Sequence, residues 1–446
     1  MSTTALLLNR QKNKQLIALA TPMILSNITI PLLGLVDTAV IGHLDHAYYL
    51  GGVALGSTLI TLIVWLLGFL RMSTTGLVAQ AYGANDDHYQ QQLLVQGSLL
   101  ALVLGLMAVI LQQPLLDLAL NLTQASEAVQ IYCRQYVEIR IWSIPFALLN
   151  LVLLGWLLGR QQPKAAMWQL IIANTVNIGL DVLFVIGFDW QVKGAALASV
   201  IADICAFAVA AFMVSKQLHL DKHFSWGKLA QHCRFNGISK LLKLNRDIFI
   251  RSLCLQAAFS FMTFYGAGLG DNTIAANAVL LNLLMLISYG LDGVAYYAEA
   301  EVGKAYGAKD NRLMRDSVTL AFFWSAIIAL LCCVSFYLGG QAFIQLLTSI
   351  EQVQITALQF LPWLILMPLW AFNCYLFDGV YIGAAKGDVM RNSMIVSTFV
   401  VYFPLWYLLQ DWGNHSLWLA LSVFMLTRSL TLGWHYLAIL RHQQFT

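Results

Sequence analysis

The sequence predicts an all-α membrane protein of twelve transmembrane helices, arranged as two parallel six-helix halves related by pseudo-symmetry. Three observations support this fold class. Only 11% of the 446 residues are Asp, Glu, Lys or Arg, against roughly 25% in soluble domains. Hydrophobic residues make up 59%, so lipid must cover surface that water cannot. In addition, a pattern of small and aromatic residues recurs at a constant spacing along the chain.

Twelve apolar stretches follow one another, and each is long enough to cross a bilayer. We number them helices 1 to 12. Those of the first half are predicted near 16–43, 48–80, 88–113, 127–158, 163–187 and 191–216. Those of the second half are predicted near 244–268, 273–305, 311–337, 351–382, 387–410 and 415–440. The apolar run of helix 1 is too long for a cleaved signal peptide, so we expect it to be retained.

The positive charges predict which side of the membrane the chain ends occupy. Of 25 Lys and Arg residues, 19 lie in the N-terminal tail, the connections after even-numbered helices and the C-terminal tail. The positive-inside rule therefore places both termini in the cytoplasm. We expect a first lobe at 1–216, a cytoplasmic linker at 217–243 and a second lobe at 244–446.

An internal repeat supports the two-half arrangement. The tetrapeptide Ala-Tyr-Gly-Ala ends helix 2 at 81–84 and helix 8 at 305–308, which is an offset of 224 in the numbering. The same offset pairs Gly155 with Gly379 in helices 4 and 10. Because each half has an even number of helices, both halves have one orientation, which is typical of transporters whose halves rock about a central cleft. Channels and lipid scramblases also contain duplications.

Three carboxylates are predicted at membrane depth in the first half: Asp37 in helix 1, Asp181 in helix 5 and Asp203 in helix 6. Such groups are costly in lipid and therefore point to function. Asp37 and Asp181 lie roughly 8–9 Å below the predicted outer ends of their helices, at 1.5 Å per residue. Hydrogen bonding between packed helices is the alternative interpretation.

Polar neighbours extend these positions along two helix faces. Asn174 and Asn177 share a face of helix 5 with Asp181, because their spacings are three and four residues. Ser199 has the same relation to Asp203 on helix 6. The equivalent positions of the second half are mostly apolar, so this polar set belongs to the first half alone.

A pair of carboxylates in low dielectric suits ion coupling, since both cannot ionise cheaply. One of them can load a proton, or exchange it for a hard cation held by carboxylate and amide oxygens. Protonation of Asp37 is expected to bend helix 1 near Pro22, which removes a backbone hydrogen bond. Asp292 in helix 8 and Asp378 in helix 10 are predicted to contact either the substrate or structural partners; the sequence leaves both alternatives open. With Asn174, they are the predicted substrate-cavity residues.

Other functional classes have no support in the sequence. There is no His-Glu-x-x-His or Gly-x-Ser-x-Gly motif, so we expect no enzyme and assign no catalytic residue. The net charge of +3 does not indicate a nucleic-acid partner. The seven cysteines form no C-x-x-C pair, and we expect them to be free.

Helix 2 closes with the motif Gly-Leu-Val-Ala-Gln-Ala-Tyr-Gly-Ala at 76–84, and helix 1 contains Pro-Leu-Leu-Gly-Leu-Val-Asp-Thr-Ala-Val-Ile-Gly-His-Leu at 31–44. With its twelve helices in two parallel halves and the first of these motifs, the chain resembles the multidrug and toxic compound extrusion (MATE) family over essentially its whole length. The second motif, together with Asn177-x-x-x-Asp181, resembles the DinF (DNA-damage-inducible protein F) branch.

The resemblance implies a cation site in the first half and a bend of helix 1 at Pro22. It places the carboxylates of Asp37 and Asp181 and the amide of Asn177 in this site, with Ser199 where relatives often have Thr. It adds Asn150 of helix 4 as a further amide. Another branch pairs an acid of helix 7 with one matching Asp378, but helix 7 lacks that acid here, which argues against a sodium site in the second half.

The resemblance also implies an exporter of amphiphilic organic cations that works by alternating access in the inner membrane of a bacterium. We expect small-molecule drugs and membrane lipid as its partners, a monomeric state, no cofactor and H⁺ as the coupling ion. Sodium coupling through Asp37, Asn177, Asp181 and Ser199 is one alternative. A flippase for a lipid-linked precursor is another, although intramembrane Arg and Lys residues are sparse.

Overall fold

The structure is a computed structural model that describes residues 6–42, 47–122, 126–220 and 238–442. Within these ranges, the side chains at 30–39, 41–42, 47, 122, 219–220, 238 and 441–442 lie outside the description. All regular structure in the described part of the chain is helical. In lipid this is expected, because a helix satisfies every backbone polar group within one segment.

The twelve predicted helices are all present. In the first half they are Arg10–Gly42; Ala47–Leu66 with Phe69–Gly83; Asp87–Ile110 followed by Gln112–Leu122; Glu127–Arg140 with Ile144–Gly159; Pro163–Asp181 with Val182–Gly187; and Gln191–Leu220. In the second half they are Ile238–Ala267; Asp271–Gly307; Asn311–Leu347; Glu351–Leu366 with Pro368–Gly383; Gly387–Ile395 with Val396–Tyr402 and Phe403–Leu408; and Asn414–His442.

Several helices are longer or less regular than the hydropathy predicts. Helix 1 begins at Arg10 and helix 7 at Ile238, because each starts with polar turns that precede its apolar run. Helix 10 bends by 56° before Pro368, since proline has no N–H to continue the hydrogen-bond ladder. Of the described helices, nine are long and apolar enough to span a membrane, and the bent pair of helix 10 adds a tenth.

The backbone repeats at the same offset as the sequence. Asp86 and Asp310, which are equivalent positions of the repeat, both cap the next helix by accepting hydrogen bonds from backbone N–H groups. Left-handed backbone conformations also recur at this offset in three connections. The pairs are Asn85 with Lys309, Gln161 with Ala385, and Asp189 with Gly413. The two halves therefore share their turns as well as their helices.

The repeated glycines let two helices of each half approach closely. A Cβ added to Gly155 of helix 4 would lie 2.6 Å from the carbonyl oxygen of Arg71 in helix 2. A Cβ added to Gly379 of helix 10 would overlap the carbonyl of Ala295 in helix 8. Arg71 and Ala295 are themselves equivalent positions of the repeat. The same helix packing thus occurs in both halves, and it explains why glycine is present at both positions.

The chain divides into two compact units. One contains residues from Leu242 onward together with the chain up to Ile24 and Gly83–Asn85. Its core includes the fully buried side chains of Trp418, Tyr402 and Phe424. The other contains Leu25–Tyr82 and Asp86–Leu241. The predicted lobes at 1–216 and 244–446 remain a prediction, and most of the linker at 217–243 lies outside the described residues.

Six of the seven cysteines lie in the described part of the chain, and these six are free. Cys133, Cys254 and Cys374 are buried in helices 4, 7 and 10. A buried thiol behaves as a small apolar side chain, which fits their positions in helix packing.

Candidate functional site

The polar face of helix 5 is buried in the first half of the chain. The side chains of Asn177 and Asp181 are 4% and 3% exposed, and Asn174 is half-buried one turn earlier. A carboxylate at this depth is stable only where polar groups or a proton compensate for lost hydration. The structure therefore keeps together the three residues that spacing along helix 5 predicted to share a face.

Hydrogen bonds join this face to helices 1 and 6. Asn177 Nδ2 donates to Ser199 Oγ of helix 6 at 3.2 Å. Asn174 Nδ2 donates to Thr29 Oγ1 of helix 1 at 2.5 Å. Thr29 was not among the predicted site residues, since a single threonine in an apolar helix carries no distinctive signal. These two bonds connect the polar face of helix 5 to helix 1 and to helix 6.

The backbone changes from an α-helix to a π-helix directly after Asp181, over Val182–Gly187. A π-turn contains an extra residue, and such turns occur frequently at functional sites. Here the wide turn begins at the buried carboxylate itself. Sequence periodicity could not reveal this feature, because the apolar residues of the segment fit an α-helix equally well.

Asp37 belongs to helix 1 by its backbone, but its side chain lies outside the described residues. Its predicted approach to Asp181 therefore stays a prediction. Pro22 is buried within the same helix, which continues without a break from Arg10 to Gly42. The expected bend near Pro22 also remains a prediction.

Asp203 forms an ion pair that the sequence did not predict. Its Oδ2 lies 2.6 Å from Nη1 of Arg140, and both side chains are largely buried. Arg140 also donates to Ser143 Oγ. Helical spacing placed Asp203 near Ser199, but it could not reveal an arginine on a neighbouring helix. The carboxylate of Asp203 is thus engaged by a fixed cation.

Asn150 lies in the same network as Asp203. Its Nδ2 donates to the backbone carbonyl of Asp203 at 3.0 Å, and its Oδ1 accepts from Gln169 Nε2 at 3.1 Å. These bonds connect helices 4, 5 and 6. They place Asn150 in a hydrogen-bonded contact between these packed helices.

A second charged cluster is buried in the second half. Asp378 of helix 10 accepts from Arg251 of helix 7 and from Arg428 of helix 12, the latter at 2.7 Å, through the same oxygen. Asp378 is 8% exposed, Arg251 is 7% exposed and Arg428 is 3% exposed. Arg428 also contacts the sulfur of Met425. Two guanidinium groups stabilise the ionised form of this carboxylate and disfavour another cation beside it.

The predicted substrate-cavity residues therefore differ in their surroundings. Asp378 has structural partners, the alternative that the sequence left open, and Asn174 belongs to the helix 1–5 contact. Asp292 is half-buried in helix 8. The signal for the Asp378 cluster was present in the sequence, as two arginines within apolar helices, but their partner depends on which helix faces meet.

Among the described residues, no group of three or more His, Cys, Asp or Glu side chains is arranged to hold a metal ion. The polar face of helix 5 supplies one carboxylate and two amides, and Thr29 of helix 1 and Ser199 of helix 6 add hydroxyl groups. Such a set can accept a proton at the carboxylate or contribute oxygen ligands to a hard cation.

Comparison with known proteins identifies the family. The MatE family model matches residues 22–183 and again 248–408, which is once in each half. DNA damage-inducible protein F of Escherichia coli K12 is 49% identical over 422 residues, covering 94% of this chain and 91% of that protein. The multidrug export protein MepA of Staphylococcus haemolyticus is 21% identical over 89% of this chain and 87% of that protein.

Solved structures show the same fold. A transporter of the MOP superfamily from Pyrococcus furiosus superposes with a TM-score of 0.86 at 19% identity, covering 98% of both chains. An outward-facing multidrug resistance MATE transporter superposes with a TM-score of 0.84 at 20% identity, also over 98% of both chains. The chain has a duplicated twelve-helix fold, matches the family model once in each half and is 49% identical to one relative. It therefore belongs to the DinF branch of the MATE family of multidrug efflux transporters.

Proposed function

We propose that this transporter exports amphiphilic organic cations in exchange for protons, through a first-half site of Asp37, Asn177, Asp181 and Ser199. The observation that carries the proposal is the burial of Asp181, only 3% exposed, at the end of a polar face bonded to helices 1 and 6. We further propose that the chain works without a cofactor, as a monomer in a bacterial inner membrane, with both termini cytoplasmic.

The chemistry favours a proton as the coupling ion. A carboxylate that is removed from water gains stability when it is protonated, because the neutral form loses less hydration. If Asp37 lies beside Asp181, their repulsion strengthens this preference. Proton binding then changes the charge and the hydrogen bonding of the residues that connect helices 1 and 5, which is the change that a coupled transporter requires.

Helix 1 is the element through which this change would spread. Thr29 connects it to the polar face of helix 5, and Pro22 lies seven residues earlier, where one backbone hydrogen bond is missing. We propose that protonation of Asp37 bends helix 1 near Pro22 and narrows the drug site. Deprotonation on the cytoplasmic side then restores the straight helix.

The second half offers a less favourable cation site. Asp378 accepts hydrogen bonds from two guanidinium groups, so a sodium ion there would have to compete with two fixed positive charges. This arrangement supports ion coupling in the first half. Sodium coupling at Asp37, Asn177, Asp181 and Ser199 remains the alternative, since the same oxygens suit either ion.

Transport in inside-out vesicles tests the proposal. Uptake of a fluorescent organic cation such as ethidium would be measured with a pH gradient alone, then with a sodium gradient alone. We expect the pH gradient to drive uptake, and Asp37→Asn and Asp181→Asn each to abolish it. Asp117→Asn makes the same chemical change at an exposed position and should leave uptake unchanged.

Two outcomes would contradict the proposal. Uptake driven by the sodium gradient and not by the pH gradient would show that Na⁺, and not H⁺, is the coupling ion at these residues. Normal pH-driven uptake by Asp37→Asn and by Asp181→Asn would show that the coupling site lies elsewhere. Protein amount and thermal stability would be measured for each variant, so that lost transport is not confused with lost protein.

A further inference from the structure

A cleft of about 550 Å³ lies in the first half, where helices 4 and 6 begin and helix 5 ends. This volume is within the range of roughly 300–1,000 Å³ that is typical of small-molecule pockets. By the proposed orientation, these helix ends face the outer side of the membrane, so the cleft lies at the level of the lipid headgroups. Its lining includes Tyr132 and Gln135 of helix 4, Asp189 and Trp190 of the connection, and Gln191 and Lys193 of helix 6.

Two aromatic side chains of the cleft are held in place by other rings. Tyr132 stacks on Tyr48 of helix 2, with 5.2 Å between the ring centroids. Trp190 packs against Phe184 and Phe188, at centroid distances of 5.1 Å and 5.4 Å. Trp190 nevertheless stays 46% exposed. Rings that are fixed from behind and open in front can attract an ammonium group to their π faces.

The cleft also contains one charge of each sign, Asp189 and Lys193, and both side chains are exposed. In the part of the chain that the structure describes, neither of them forms an ion pair. Lys193 is the one lysine or arginine predicted in a connection that follows an odd-numbered helix. The positive-inside rule disfavours a cation at such a position, so its presence there requires a specific reason.

The repeat shows that the fold itself does not need these charges. The equivalent of Lys193 in the second half is Leu417, which is fully buried. The equivalent of Asp189 is Gly413, and both have left-handed backbones, with φ of 53° and 56°. Glycine adopts this conformation without steric cost, whereas aspartate does not. The first half therefore keeps an acid at a strained position where the second half has glycine, which indicates a role for the carboxylate.

An exposed apolar surface leads up to the cleft along the π-helix of helix 5. Val182, Leu183 and Ile186 are between 44% and 60% exposed, and in a bilayer such side chains contact acyl chains. The charges at the end of this surface discriminate between possible ligands. Lys193 repels a simple organic cation, and Asp189 repels a simple anion. A zwitterionic headgroup, with both a phosphate and an ammonium group, matches both charges.

We propose that this cleft binds the headgroup of phosphatidylethanolamine. Lys193 donates to the lipid phosphate, Asp189 accepts from the primary ammonium group, and the face of Trp190 covers that ammonium. Phosphatidylcholine has no N–H to donate, and phosphatidylglycerol has no cation. The acyl chains follow the π-helix at Val182–Gly187, which begins directly after Asp181. A bound lipid thus contacts the segment that continues from the buried carboxylate.

Photo-crosslinking of the full chain in vesicles tests the proposal. Three lipid probes would carry a diazirine in the same acyl chain and differ only in their headgroup, which is phosphoethanolamine, phosphocholine or phosphoglycerol. After irradiation and proteolysis, mass spectrometry measures labelling of the peptide that covers 182–190. We expect the phosphatidylethanolamine probe to label this peptide about fivefold more than either other probe, which is the effect of one charge-assisted hydrogen bond at an exposed position.

Matched variants connect the labelling to the two charges. Lys193→Gln should reduce phosphatidylethanolamine labelling about fivefold, whereas Lys164→Gln, the same change at an exposed residue near the other end of helix 5, should not. Asp189→Asn should shift the preference towards phosphatidylglycerol, because the phosphate contact remains and the repelling carboxylate is gone. Misfolding would not produce such a change of preference. Trp190→Ala should lower labelling, and Trp168→Ala, at a similarly exposed ring, should leave it unchanged.

Equal labelling by the three probes would overturn the proposal, since acyl chains would then cover the helix without recognition of the headgroup. Unchanged labelling in both Lys193→Gln and Asp189→Asn would overturn it as well. Displacement of the probe by ethidium would instead make the cleft a site for organic cations, and displacement by equimolar glycerophosphoethanolamine would make it a site for a soluble ligand. The probes occupy both leaflets and no ion gradient is applied, so the results do not depend on the proposed orientation or on drug export.

Discussion

The cluster of Asp378 with two arginines makes a quantitative prediction about stability. Asp378→Asn removes the charge that Arg251 and Arg428 share, and leaves two guanidinium groups that are 7% and 3% exposed. Removing one partner of a buried ion pair typically costs about 3–5 kcal/mol, because the remaining charge stays in a low-dielectric environment. We expect Asp378→Asn to lower the free energy of unfolding by about that amount.

An exposed ion pair of similar geometry provides the matched control. Arg134 and Asp117 approach to 2.7 Å, like Arg428 and Asp378, but their side chains are 39% and 55% exposed. Exposed pairs contribute about 0–1 kcal/mol. Asp117→Asn should therefore change the free energy of unfolding by less than about 1 kcal/mol, although the chemical change is identical.

Titration with sodium dodecyl sulfate in mixed micelles, followed by circular dichroism, would measure both variants. A third variant with Asp378→Leu, Arg251→Leu and Arg428→Met removes all three charges and should recover most of the lost stability, since apolar replacement of a whole buried cluster is often neutral. The reasoning is refuted if Asp378→Asn and Asp117→Asn lose the same stability, or if the triple variant is less stable than Asp378→Asn.

Further predictions concern helix packing in the second half. Gly379→Val should lower the free energy of unfolding by about 1–3 kcal/mol or more through overpacking, because its side chain meets the carbonyl of Ala295; unchanged stability would contradict the close approach. Asn277→Leu should cost about 1–3 kcal/mol, since Asn414 loses a buried amide partner; the same micelle titration measures it. Tyr402→Phe removes one hydrogen bond to a helix 7 carbonyl and should cost about 1 kcal/mol, and a larger loss would indicate a further role for this hydroxyl.

Much of the fold could be predicted from the sequence because it depends on properties of the linear chain, namely the length and spacing of residue patterns. Helix number follows from apolar length, and the duplication follows from matching residues at a constant offset. The offset found in the sequence recurs in the left-handed residues Asn85 and Lys309. Helix ends were less predictable, since Arg10 and Ile238 begin helices with polar turns that hydropathy does not detect.

The candidate site was predictable only along single helices. Asn177 and Asp181 share a face because helical spacing requires it, and their burial agrees with that expectation. The partners of Asp203 could not be predicted, because Arg140 lies 63 residues earlier and reaches it only when helices 4 and 6 pack. Thr29 likewise bonds to the polar face of helix 5 only because helices 1 and 5 pack together.

The sequence alone therefore determined that the chain spans a membrane as two equivalent halves. It also determined that the polar residues of helices 5 and 6 have mostly apolar equivalents in the second half. These properties are local, since lipid forces each apolar stretch into a helix that satisfies its own backbone. The tertiary structure decided which charges neutralise each other. It also decided that helix 1 up to Ile24 belongs to a different compact unit from the rest of the helix. Arg251 and Asp378 are 127 residues apart, and only the rotation and depth of their helices bring them together. A buried charge is stabilised by whichever opposite charge the packing places beside it, so its role becomes clear only when that packing is known.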